Sequence, residues 1–162
     1  MAVLTCGDIQ LDDLQALLAR YDLSIQLIED DQPIPGSWFG DSEAGIIKNC
    51  LYVRMDTPVH SALHESCHYI CMDDQRRQTL NTNAAGDYDE ENAVCYLQIL
   101  LADFIPGFNR QRMLSDMDEW GYTFRLGSSR NWFEQDAEDA QAWLLKYQLI
   151  TDTNAPLWTL RQ

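Results

Sequence analysis

Thr57-Pro-Val-His-Ser-Ala-Leu-His-Glu-Ser-Cys-His-Tyr-Ile-Cys71 is the stretch on which the fold turns, and within it lies His64-Glu65-Ser66-Cys67-His68, an H-E-x-x-H pattern. On a helix, residues four apart sit one turn apart on one face. His64 and His68 can therefore grip one metal ion from a single rigid element. Glu65 points about a quarter-turn away, where a carboxylate reaches a water on that metal without becoming a ligand. The stretch has the makings of a helix. Thr57 suits an N-cap and Pro58 the first helical position. Val59, Ala62, Leu63, Tyr69, Ile70 and Met72 offer surface to bury, and no Gly or Pro interrupts them.

The chain's three histidines, at 60, 64 and 68, all fall here. His60 and His64 form a rival pair, but that pairing places Glu65 less usefully. His60 is therefore assigned behind the ligands or to the cleft wall. Cys67 and Cys71 lie near the same stripe. Reduced cysteines on a helix are ordinarily small buried hydrophobes. A thiolate on the metal is the other reading, and Cys71 is kept with His60 as a group supporting the ligands.

Upstream, residues 8–21 carry apolar residues at helical spacing behind an acidic start. Leu23 to Ile28 alternates as a strand does. A loop rich in turn residues follows, with Trp38-Phe39 expected to open a short second strand. Residues 46–53 read as a strand or hairpin broken near Lys48-Asn49. Downstream, 73–88 reads as a polar connection. A nearly all-apolar helix is expected from about Asp89 to Phe104, stopped by Pro106-Gly107 and buried on most sides. Further helices are expected near 109–119, 128–134 and 135–147, then an irregular or packed extended tail from Thr151. The expectation is an α+β fold, mostly helical, with a small antiparallel sheet preceding the H-E-x-x-H helix. The 162 residues suit one domain, with a catalytic core over about 23–106 and a helical part over about 108–150.

Hydrophobic residues make up 46% and charged residues 23%, which argues against disorder. A formal net charge of -15 argues against nucleic acid and anionic membrane as partners, because phosphate contacts need clustered Lys and Arg. The N-terminus lacks a basic region followed by an apolar run, and no apolar stretch approaches a membrane span. Five cysteines, with no CxxC pair, read as reduced thiols. The expected location is cytoplasmic.

A third ligand must be Asp, Glu or His on an element facing the first helix, and no histidine remains. The second helix opens Asp89-Glu90-Glu91-Asn92-Ala93. Its most apolar direction passes through Ala93, Leu97, Leu100, Leu101 and Phe104. Glu90 falls within that stripe, while Glu91 lies off it, in line with Cys95 and Gln98. A carboxylate aimed into the core must be paired or hold a metal. Glu90 is therefore the expected third ligand and Glu91 the alternative. Both also suit the helix start as capping acids.

His64, Glu65 and His68, followed by Glu90-x-x-Ala93-x-x-Tyr96-x-x-x-Leu100-Leu101, resemble the gluzincin-type zinc peptidases, and among them the compact ImmA/IrrE-like group. The resemblance covers roughly residues 44–106. It departs from the family in the residues after the glutamate, here Glu91-Asn92-Ala93-Val94, and in a later proline, Pro106. It implies a minimal zincin-like fold and one Zn2+ per chain held by two histidines and the downstream glutamate. It also implies Glu65 as general base and a protein or peptide substrate.

The implied reaction is hydrolysis of an amide by water on the metal. Tyr88, Tyr122, Arg125 and Arg130 are candidate oxyanion donors. An edge strand at 46–53 could hold an extended peptide by strand addition. Mn, Fe, Co or Ni suit similar ligand sets. Two other functions fit the same residues: a zinc hydrolase of a non-peptide amide, and a catalytically silent metal-binding or interaction domain.

Overall fold

A computed structural model describes residues 2–162. After a short 3-10 turn at Cys6–Asp8 comes helix α1, Leu11–Ala19, whose Leu14, Leu17 and Leu18 are buried at helical spacing. Three strands follow: β1 (Ser24–Leu27), β2 (Gly45–Ile47) and β3 (Cys50–Val53). β2 and β3 form the expected hairpin, broken at Lys48-Asn49, with Lys48 in the left-handed region at φ 51°.

The sheet order is β1-β3-β2, and β1 runs parallel to β3 with Ser24 beside Cys50 and Leu27 beside Val53. This corrects the expectation of a wholly antiparallel sheet. The connection from β1 to β3 is long and contains β2, so β1 is free to join the far side of β3 in parallel. Trp38 and Phe39 form a bend within that connection and no strand.

The proposed site of strand addition is closed. β3 is the central strand. On β2, the Ile46 N–H donates to the Gly36 carbonyl (3.1 Å), and the Ile46 carbonyl accepts from the Thr82 N–H (2.9 Å). The Lys48 N–H donates to the Leu80 carbonyl (2.8 Å). The outer edge of β2 is thus already paired.

The H-E-x-x-H stretch is helical: α2 spans Val59–Cys71 and is buried on almost every face. Pro58, one place later than the expected cap at Thr57, is the N-cap residue. Thr57 instead accepts the Arg54 N–H at 2.9 Å, closing the turn between β3 and α2. Within 73–88 lies a short helix, α3 (Asp74–Gln78), started by Asp73 accepting the Arg76 N–H.

Helix α4, Tyr88–Ala102, is capped by Asp87, and every residue from Ala93 to its end is buried. α2 and α4 pack side by side as the central pair of the molecule. α5 (Arg110–Trp120) ends at Gly121, whose φ of 106° makes the left-handed C-cap. α6 (Ser129–Gln135) and α7 (Glu138–Lys146) follow, with α7 against α4.

The tail then returns to α2. Trp158 packs on Tyr21 at 5.4 Å, and the Arg161 N–H donates to the Ile70 carbonyl at 3.0 Å. One hydrophobic core runs from Cys6 to Ile150 and joins the sheet and α2 to the C-terminal helices. The result is a mixed α+β fold with seven α-helices among the described residues. None of these helices is long and apolar enough to cross a membrane.

Candidate metal centre

α2 places His64 and His68 on the face turned to α4. Their Nε2 atoms lie 3.1 Å apart. Glu91, in the first turn of α4, reaches both: Oε1 is 3.0 Å from His64 Nε2 and Oε2 is 3.3 Å from His68 Nε2. His64, His68 and Glu91 are a group able to hold a metal ion. Zinc binds nitrogen and oxygen at ~2.0–2.1 Å, which makes the edges of its tetrahedron about 3.3 Å. The Nε2–Nε2 separation is close to such an edge, and the two oxygens of Glu91 each face one of the two nitrogens, so the donor types suit zinc and the group is compact enough to close on one ion.

The network behind His64 fixes which of its nitrogens faces the centre. The Gln98 amide N–H donates to the His60 carbonyl (3.4 Å) and faces Met113 Sδ, which leaves its oxygen for His64. His64 Nδ1 lies 2.7 Å from that oxygen and so carries the proton. Its Nε2 then faces the centre, where it donates to Glu91 in the protonated ring and would offer its lone pair to a metal that displaced that proton. This histidine-to-carbonyl bond is the support that metal-bound histidines ordinarily have. His68 Nδ1 is buried without a partner. The Glu91 carboxyl is held below the usual range: burial opposes this, but hydrogen bonds to His64 and His68 outweigh it.

Glu90 is not in the site, and the expectation that it is the third ligand is corrected. Its side chain is 4% exposed, as its place on the apolar stripe requires, yet its partner is arginine. Arg76 grips both oxygens, Nη1 to Oε2 at 2.8 Å and Nη2 to Oε1 at 3.0 Å. Arg161 approaches Oε2 at 3.4 Å. Gly86 lies so close that a Cβ there would fall 2.4 Å from the carboxylate. The neighbouring Glu91 side chain is 41% exposed and turns to the histidines. The expectation read from the apolar stripe is thus one residue early.

Glu65 is buried beside the histidines, and its carboxyl is pushed up by burial, with His64 and His68 pulling the other way. His60 is fully buried in the first turn of α2. Its Nδ1 lies 3.2 Å from the Tyr122 hydroxyl, and its Nε2 has no partner. Burial, then His64, drives its pKa down to about 3, so the ring is neutral. A buried lone pair without a partner is tolerated better than a buried N–H without one. The Nδ1–H therefore donates to Tyr122, leaving the phenol proton free to point elsewhere.

Cys71 is not beside the ligands. It lies buried at the end of α2, where its carbonyl accepts from Arg161. Burial keeps the Cys67 and Cys71 thiols well above their ordinary pKa, and neither joins the group of donors that converge on one point. All five cysteines are free.

Of the four candidate oxyanion donors, only Tyr122 comes to the site, its ring 5.6 Å from that of His64. Burial pushes its phenol up to about 12, so it stays protonated. Tyr88 is exposed, Arg125 is paired with Asp136, and Arg130 with Glu134 and Gln111, all away from the histidines.

The site opens into a cleft of two hollows that share Phe39 and Glu65. One, of about 110 Å3, lies over His68 and Glu91 and is walled by Trp38 and residues 82–85. The other, of about 230 Å3, lies over His64 and is walled by Glu43, Ser61, Trp120, Gly121 and Tyr122. Trp38 and Phe39 stand at the rim, 61% and 73% exposed. Sequence reasoning missed Gln98, Glu43 and the cleft role of Trp120. Gln98 was findable, as a lone amide inside an apolar helix in line with Glu91.

Comparisons with protein-family models, curated proteins and solved structures return no match.

Proposed function

We propose that this chain is a zinc-dependent hydrolase of zincin type that cuts peptide bonds at the His64–His68–Glu91 centre. The carrying observation is the convergence of the His64 and His68 Nε2 atoms, 3.1 Å apart, on the Glu91 carboxylate, with Glu65 beside them and a cleft above. The resemblance to the gluzincin peptidases supports the same reading through His64, Glu65 and His68, while its second half, written on Glu90, does not carry over to Glu91. Five unpaired thiols suit a reducing, cytoplasmic setting.

Zinc, when bound, supplies Lewis acidity toward the scissile carbonyl and brings the pKa of water towards ~7. The chain's own groups do the rest. Glu65 takes a proton from the attacking water as its oxygen bonds to the carbonyl carbon. It returns that proton to the amine as the C–N bond breaks. Burial makes Glu65 a better base than a carboxylate in water. Tyr122 donates its phenol proton as a hydrogen bond to the developing oxyanion.

Glu65→Gln tests this reading. The variant is expected to keep one equivalent of zinc by elemental mass spectrometry and to lose peptide-library cleavage by about 10²-fold or more. Cleavage that survives the change would overturn the mechanism. A loaded wild type that cuts no peptide would overturn the substrate class.

A further inference from the structure

The larger hollow, over His64, has a built polar wall. Glu43 is its carboxylate besides Glu65. The Glu43 backbone N–H donates to the Gly40 carbonyl (3.2 Å), and its carbonyl accepts the Ser37 hydroxyl (3.0 Å). Its Oε1 accepts the indole N–H of Trp120 at 2.8 Å. The next residue is tied to α2 itself, with the Ala44 N–H donating to Ser61 Oγ at 3.0 Å. Ser61 stands one turn before Glu65, so Glu43 is held in fixed relation to the reacting groups.

The hollow sets this fixed carboxylate among aromatic faces, Phe39, Trp120 and Tyr122, and no Lys or Arg lines it. Among the described residues Glu43 makes no salt bridge. A half-buried carboxylate with one oxygen unengaged and aromatic rings around it is a receptor for an organic cation, through Coulomb attraction and the negative faces of the rings. The molecule's 26 acidic against 11 basic residues draw cations toward it.

We propose that the Glu43–Phe39–Trp120–Tyr122 hollow recognises a cationic nitrogen of the substrate beside the bond to be cut, carried by a Lys or Arg side chain or by a free amino terminus. The proposal rests on the hydrolase reading for what happens next to the cation, and not for the binding itself. At about 230 Å3 against 110 Å3, this is the roomier of the two hollows and the one suited to a long side chain.

Binding of three inert probes to the zinc-loaded protein, followed by Trp fluorescence, tests it. Acetyl-lysine methylamide presents a side-chain cation, norleucine methylamide an α-amine alone, and acetyl-norleucine methylamide neither. At least one cationic probe is expected to bind roughly tenfold tighter than the neutral probe, and which one does so identifies the source of the cation. Glu43→Gln is expected to abolish the difference. Glu138→Gln, the same loss of charge at an exposed position on α7, is expected to leave it intact. Equal binding of all three probes, or discrimination unchanged in Glu43→Gln, would overturn the proposal. Discrimination that persists in a protein that cuts no peptide would leave this pocket standing and sink the hydrolase reading alone.

Discussion

Glu90 and Glu91 are chain neighbours with opposite tasks. Glu91 closes the donor triangle; Glu90 neutralises Arg76 and Arg161 behind it. Glu91→Ala is therefore expected to lose zinc in elemental analysis with little change in urea stability of the metal-free protein. Glu90→Ala keeps the ligand set but leaves two arginines without their carboxylate, and is expected to cost about 3 kcal/mol or more in urea unfolding. Gln98→Leu removes the acceptor of the His64 Nδ1 proton and is expected to weaken zinc about 10–100-fold in a chelator competition. The convergence of the two histidines was legible because i,i+4 spacing leaves little choice of face. The third member of the donor group was misread because α4 is buried nearly all round. Burial then marks a carboxylate as paired without saying with what. The informative line was the polar one, Glu91–Cys95–Gln98.

At the scale of elements, α2 and α4 are held in register by the tail. Arg161 touches both: its N–H and Nη1 bond the Ile70 and Cys71 carbonyls of α2, and its guanidinium meets Glu90 of α4. It also stacks on Tyr147 at 4.1 Å. Arg161→Ala is expected to destabilise by about 1–3 kcal/mol and to loosen zinc several-fold in the same competition. Arg130→Ala, which breaks an exposed pair, should change neither beyond about 0.5 kcal/mol. The long helices were readable from apolar period and punctuation. The short α3 was not, because Asp74–Gln78 is wholly polar and depends on the Asp73 cap and on the Arg77 contacts to the Tyr69 and Met72 carbonyls. The parallel join of β1 was hidden for another reason. Alternation tells which face a strand buries, while partner and direction are set by the chain's path around β3. The tail's grip on α2 was equally invisible, since it rests on contacts some ninety residues apart.

For the molecule as a whole, a metal at the His64–His68–Glu91 group would be an addition to a fold that already has its core. That core is continuous from the first turn to α7, and α2 and α4 meet directly through apolar side chains along their length. Removing the metal should therefore leave a folded protein, unlike a small domain whose only core is its ion. A ligand that binds only the native state still stabilises it, by about 2.7 kcal/mol at a hundred times its dissociation constant. In a chain of this size that corresponds to a rise in melting temperature of roughly 5–10 °C. Calorimetry with and without zinc is expected to show one cooperative transition in both cases, shifted upward by that amount in the presence of the metal. The Glu91→Ala protein should show the same transition and no shift. Unfolding on chelation would mean that the ion is part of the core. A wild type that zinc does not move at all would mean that His64, His68 and Glu91 converge for packing alone.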